Sequence, residues 1–162
     1  MTLDEKVAEY GPEIEDAQIV IELNAPDPAL PLKPIAFNCR TVAKPAALSG
    51  ELGMLMVVSE AKAIPADIAP NGQAVPISSV AMAAINTLLD AIERDLQVDA
   101  TQPGEMLQVS SMLDGIEALG LLSATTKAAI LAGTVRQQSW AEANGFPNGV
   151  TARDVGLARG AK

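Results

Sequence analysis

Met106-Leu-Gln-Val-Ser-Ser-Met-Leu-Asp-Gly-Ile-Glu-Ala-Leu119, closed by Gly120, is the stretch whose reading decides the fold. Its apolar residues fall at 106, 109, 112, 113, 116 and 119, the three-and-four spacing that turns one face of a helix toward a core, and Gly120 is a stop signal. The same grammar repeats downstream. Ser123 stands as N-cap to residues 124–132, and Gly133 is placed to take the left-handed conformation that ends a helix. Ser139-Trp-Ala-Glu142 has capping-box spacing and runs to Asn144-Gly145; Thr151-Ala-Arg-Asp154 is a looser version that runs to Arg159-Gly160. A single cap contributes only about 1 kcal/mol. It is the agreement of the signals over 104–160 that predicts four short helices in a row.

Working outward, Ser78 or Ser79 caps the longest expected helix, 80–96, whose apolar positions 85, 88, 89, 92 and 96 oppose Asp90, Glu93 and Arg94. The short polar connection after it makes this helix and 106–119 an antiparallel pair. Nearer the N-terminus the pattern changes. Residues 3–10 suit one or two helical turns, ended by Gly11-Pro12. Gln18-Ile-Val-Ile-Glu-Leu23 is rich in β-branched residues and reads as a first strand; Pro26, Pro28, Pro31 and Pro34 make 24–34 an extended connector. Residues 35–42 alternate strictly, with Ile35, Phe37, Cys39 and Thr41 on one face, and read as the cleanest strand. The apolar run 51–59 is bounded by turn signals and reads as a buried strand with Gly53 at a bulge, a helix over 51–62 being the competing reading. The loop 64–76 holds Pro65, Pro70, Asn71-Gly72 and Pro76 and marks a boundary. The expected class is α+β: a small antiparallel β unit followed by a bundle of short helices, divided into 1–76 and 77–162.

Composition narrows the function. Hydrophobic residues make up 49% of the 162, too many for a disordered chain, while aromatics are 2%, so the core is aliphatic. The net charge of −9 opposes a phosphate-binding surface over the whole molecule. It is unevenly spread: residues 1–120 hold 6 basic and 18 acidic side chains (−12), residues 121–162 hold 5 and 2 (+3). Such asymmetry can orient a subunit against a neighbour. The acidic, polar start and the lack of a long apolar run predict a chain without signal peptide or membrane span, made and kept in a reducing compartment.

With no histidine, His-dependent triads and the usual zinc sites are excluded. Cys39 is the one cysteine and, inside an apolar run, reads as a buried structural thiol; a bridge between chains is the alternative. Carboxylate pairs such as Glu13 with Glu15 or Glu93 with Asp95 are two apart, do not face each other on a helix, and read as solvated. Ser49-Gly-Glu-Leu-Gly53 lacks the rest of a phosphate cradle. No catalytic, cofactor-binding or metal-binding residue is therefore expected, no cofactor, and no enzyme. A helix-turn-helix over 123–144 has the right outline, but its second helix is barely a turn, carries Glu142 and lacks a basic series. Trp140 either packs with Phe146 over the preceding helix or anchors a partner; Arg153 and Arg159, six apart, are solvated or pair with a neighbour's acidic part. These three are the candidate partner contacts.

Residues 119–131 (Leu-Gly-Leu-Leu-Ser-Ala-Thr-Thr-Lys-Ala-Ala-Ile-Leu), 139–145 (Ser-Trp-Ala-Glu-Ala-Asn-Gly) and 150–159 (Val-Thr-Ala-Arg-Asp-Val-Gly-Leu-Ala-Arg) together resemble a C-terminal pattern of small proteins of tailed bacteriophages. The resemblance covers about the last 45 residues and carries no active-site content. It implies a virion protein, assembled in the host cytoplasm and placed at the tail or tail tip. The partners implied are other virion proteins and further copies of the chain, without nucleic acid or membrane. The alternatives are a cytoplasmic assembly factor absent from the particle and a small DNA-binding regulator.

Overall fold

The computed structural model describes residues 1–69 and 71–160. Pro70, in the expected loop, lies outside the described residues, as do residues 161 and 162 of the expected C-terminal part. In chain order the elements are α1 (Leu3–Val7), α2 (Asp16–Asn24), β1 (Leu32–Pro34), β2 (Ala36–Asn38), α3 (Cys39–Val42), α4 (Lys44–Leu48), α5 (Glu51–Ala61) and β3 (Ala63–Ile64). There follow β4 (Val75–Pro76), α6 (Ser79–Glu93), β5 (Gln97–Asp99), α7 (Pro103–Ala118), α8 (Ala124–Ala132), β6 (Val135–Gln137), α9 (Trp140–Ala143) and α10 (Ala152–Ala158). The class is α+β, as the sequence predicts. Its strands form two-stranded ladders, β1 with β6, β2 with β5 and β3 with β4, and the last two are antiparallel.

Two compact units divide the chain: a continuous one, residues 34–136, and one built from both ends, residues 1–33 and 137–162. Residue 76 lies inside the continuous unit, because β3 and β4 pair, Ala63 opposite Pro76, and close the Pro-rich loop upon itself. The continuous unit gathers Leu55 and Val58 of α5, Ile85 of α6, Leu113 and Ile116 of α7 and Leu121 behind them, each at most 2% exposed. The terminal unit packs Val7, Ile19, Leu23, Ala141, Val150 and Val155 into a core of its own.

Three strand expectations are corrected. Residues 18–23 lie in helix α2, because Ile19 and Leu23, four apart, are the two residues its core takes in, while Ile21 is left 63% exposed. Burial at helical spacing overrides β-branched propensity. Residues 51–61 form helix α5, the competing reading, with Leu55 and Val58 one turn apart in the core; Gly53 faces open space and marks no bulge. Of 35–42 only Ala36–Asn38 is a strand. It ends where the Asp95 carboxylate accepts the Arg40 N–H at 3.0 Å and so caps α3 from another part of the chain.

The helix ends were more legible. Ser78 accepts the Ala81 N–H at the start of α6. α7 ends at Gly120 with φ +72°, and its last carbonyls are taken by Gly120 N–H (Glu117, 2.8 Å) and Leu121 N–H (Ile116, 3.3 Å), a Schellman closure. Gly133 departs from expectation. Its φ is −74°, a right-handed value, and a Cβ there would stand 3.1 Å from Val42 Cγ1, so glycine serves close approach rather than handedness.

Candidate functional site

The polar residues that carry the C-terminal sequence pattern are occupied at helix starts. Ser123 Oγ accepts the Thr126 N–H at 3.2 Å. Ser139 Oγ accepts from Glu142 N–H at 3.2 Å while the Glu142 carboxylate takes the Ser139 N–H at 3.3 Å, a reciprocal box. Thr151 and Asp154 do the same on α10, the Asp154 carboxylate taking the Thr151 N–H at 2.9 Å and its hydroxyl at 2.6 Å. The bonds from the Thr151 hydroxyl and then its N–H hold the Asp154 carboxyl below the usual aspartate value. Across the chain, Glu51 accepts the Ser123 N–H at 3.0 Å. Burial pushes the Glu51 carboxyl up, but bonds from Thr126, Ser123 and Ser49 outweigh it and leave it below the ordinary value.

Of the candidate contact residues, Trp140 is half-buried, and it and Phe146 both pack on the terminal unit's core. Arg159 pairs with Asp16 Oδ1 at 3.0 Å and donates to the Gly11 carbonyl at 3.0 Å, tying α10 to the start of α2. Arg153 is exposed beside Asp154. The three therefore share a unit without converging on one spot. The residue that sequence reasoning missed is Asn24. Its side-chain amide donates to the Val150 carbonyl and accepts the Val150 N–H, both at 2.8 Å, joining positions 126 residues apart. Gly149 beside it has φ +82°, and a Cβ would come within 2.7 Å of Asn24 Oδ1. Nothing local in the sequence announces such a long-range tie.

Two concave features lie in the continuous unit. The first is a cavity of ≈ 70 Å³ whose walls are apolar, among them Phe37, Cys39, Ala91, Met112, Leu122 and Ile130. Engineered apolar cavities that admit benzene are about 150 Å³, so this one is a packing void on the scale of a few atoms. Cys39 is 7% exposed on its wall, and burial first, then the Asp95 charge, raises its thiol above the ordinary value. It is a protonated structural thiol, poorly suited to nucleophilic attack.

The second is an open groove on the paired helices α5 and α6. Leu52, Met56, Leu89 and Ile92 line its floor, and Glu60, Asp90 and Glu93 stand along it. Ser59 donates to Asn86 Oδ1 at 2.7 Å across the two helices. Arg40 closes the other end, its guanidinium donating to the Glu93 carbonyl at 2.6 Å. Met56 is 55% exposed, a large apolar side chain left in water.

Among the described residues no group of three or more Cys, Asp or Glu is arranged to hold a metal ion, and no helix is long and apolar enough to cross a membrane. Fold and surfaces define a two-unit α+β protein whose recognisable motif residues are committed to helix ends. Comparison with family models, with curated proteins and with solved structures returned no match.

Proposed function

We propose that this chain is a non-enzymatic structural subunit of a tailed-bacteriophage particle, acting by contact with other virion proteins in the tail or tail tip. The observation that carries the docking half of this reading is the groove between α5 and α6, an apolar floor edged by carboxylates. The phage half rests on the C-terminal resemblance, whose Ser, Thr, Asp and Glu residues are engaged in caps. A pattern made of cap residues marks a scaffold rather than a reaction centre.

Quantitative mass spectrometry of purified particles from a phage that encodes this chain tests the reading. The chain is expected in the particle at a fixed stoichiometry to the tail proteins. Presence in infected cells but not in particles would favour an assembly factor instead. The DNA-binding alternative draws little support from the fold, since α8 and α9 are separated by strand β6 and belong to different units. A helix-turn-helix needs a short turn there. Salt-sensitive retardation of duplex DNA would reverse that judgement.

A further inference from the structure

Three asparagines of this chain stand directly before a glycine, Asn71, Asn144 and Asn148, and two of them sit in the same tripeptide, Pro-Asn-Gly, at 70–72 and 147–149. An asparagine so placed is open to an intramolecular reaction, because glycine has no Cβ to keep its amide nitrogen away from the side-chain carbonyl. Local chemistry is matched at Asn71 and Asn148, so only the fold can separate them.

The difference lies in what holds the glycine and the residue after it. Both glycine N–H groups are bonded, Gly72 to the Ala69 carbonyl at 3.0 Å and Gly149 to the Phe146 carbonyl at 2.9 Å. Beyond that the sites part. Asn24 lies against Gly149 and takes both backbone polar groups of Val150, which is 2% exposed, while Phe146 packs on the terminal unit's core. At the other site residues 71–76 are all exposed, a Cβ on Gly72 would meet nothing within 4 Å, and the Gln73 N–H bonds to Asn71 Oδ1 itself at 3.2 Å. Asn144 is held in a third way: its side-chain amide donates to the Trp140 carbonyl at 2.9 Å, a bond that turning onto Gly145 would break.

We infer that Asn71 is a site of spontaneous deamidation in the folded protein, with water as co-reactant, and that Asn144 and Asn148 are shielded. The Gly72 nitrogen gives its proton to a solvent base and attacks Asn71 Cγ; a C–N bond forms, the bond from Cγ to Nδ2 breaks, and ammonia leaves with a proton from solvent. The product of this step is a cyclic imide. Water adds to one of its two carbonyls and opens the ring, giving aspartate at 71 or, by cleavage on the other side, an isoaspartyl linkage. One amide and one water become one carboxylic acid and one ammonia, and nothing is oxidised or reduced. The attack needs a local opening that frees the Gly72 N–H from Ala69, and such openings cost least in exposed loops with few packed neighbours. The new carboxylate stands between β3 and β4, and the isoaspartyl form adds a methylene to the backbone there. None of this depends on the particle reading.

The test follows the full-length protein in mildly alkaline buffer, native and in urea, with deamidation at each asparagine read by peptide mass spectrometry. In urea Asn71 and Asn148 should react at similar rates. In the native protein Asn71 should stay within a few-fold of its urea rate, while Asn148 and Asn144 fall by about tenfold or more. Asn24→Ala, which removes the clasp on Gly149 and Val150, should raise the Asn148 rate and leave Asn71 as it was. Asn71→Gln should abolish the native signal at this loop, since the longer side chain closes a less favourable ring. Equal native rates at Asn71 and Asn148, or product at Asn71 in urea only, would overturn the inference. An Asn148 rate unmoved by Asn24→Ala would overturn the shielding. The native-to-urea comparison needs no variant, so it decides the matter even where Asn24→Ala fails to fold.

Discussion

The two units solve the same problem by different means. In the continuous unit the core is aliphatic and drawn from one uninterrupted stretch of chain: α6 and α7 pack on each other, and Leu121 follows α7 within one turn. The terminal unit must hold residues from opposite ends of the chain, and closing so long a loop carries an entropic cost. It meets that cost with specific polar ties, Asn24 to Val150 and Arg159 to Asp16 and Gly11, around a smaller core. Apolar packing tolerates approximate shapes; a bidentate amide tie does not.

The contrast can be broken experimentally, starting with the largest effect. Ile85→Ala, at a fully buried position, should cost about 2–5 kcal/mol in urea unfolding, with protection against hydrogen exchange lost first in the continuous unit. A cost below that range would mean the surrounding core collapses into the space the side chain leaves. Asn24→Ala should cost about 1–3 kcal/mol, because it strands both polar groups of Val150, and the loss of protection should fall on α2, α9 and α10. If it fell evenly on both units, the tie would not be local to the terminal one. Ser123→Ala removes one cap and should cost about 1 kcal/mol. Ala91→Val reaches into the ≈ 70 Å³ cavity and should stabilise by about 0.5 kcal/mol, read as a higher thermal midpoint; a lower one would show that the added methyl groups overpack it.

The smallest effect concerns acid. Asp154 and Glu51 have carboxyls lowered in the fold, so each contributes stability that is present above its ordinary pKa and lost as pH falls through its lowered value. Asp154→Asn and Glu51→Gln should lower the neutral plateau of the stability curve and change its acid end less, so that the acid limb flattens. An unchanged limb in both variants would remove these carboxylates from the account of acid unfolding.

What the sequence disclosed follows from range. Ser123, Ser139 with Glu142, and Thr151 with Asp154 act within three residues, and all were legible as caps. Residues 18–23 and 51–59 were misread because their apolar runs fit either period, and the helices that bury Ile19 and Leu55 are far off in sequence. With α5 taken for a strand, the groove it forms with α6 was invisible. The two-unit division depends on contacts such as Asn24 to Val150, which no local pattern encodes.

The most direct test of the claim that this chain works by docking is an image reconstruction of purified particles carrying it. The account predicts ordered, repeated copies in the tail, in contact with other virion proteins. Particles complete without the chain, together with turnover of a substrate by the purified protein, would contradict it.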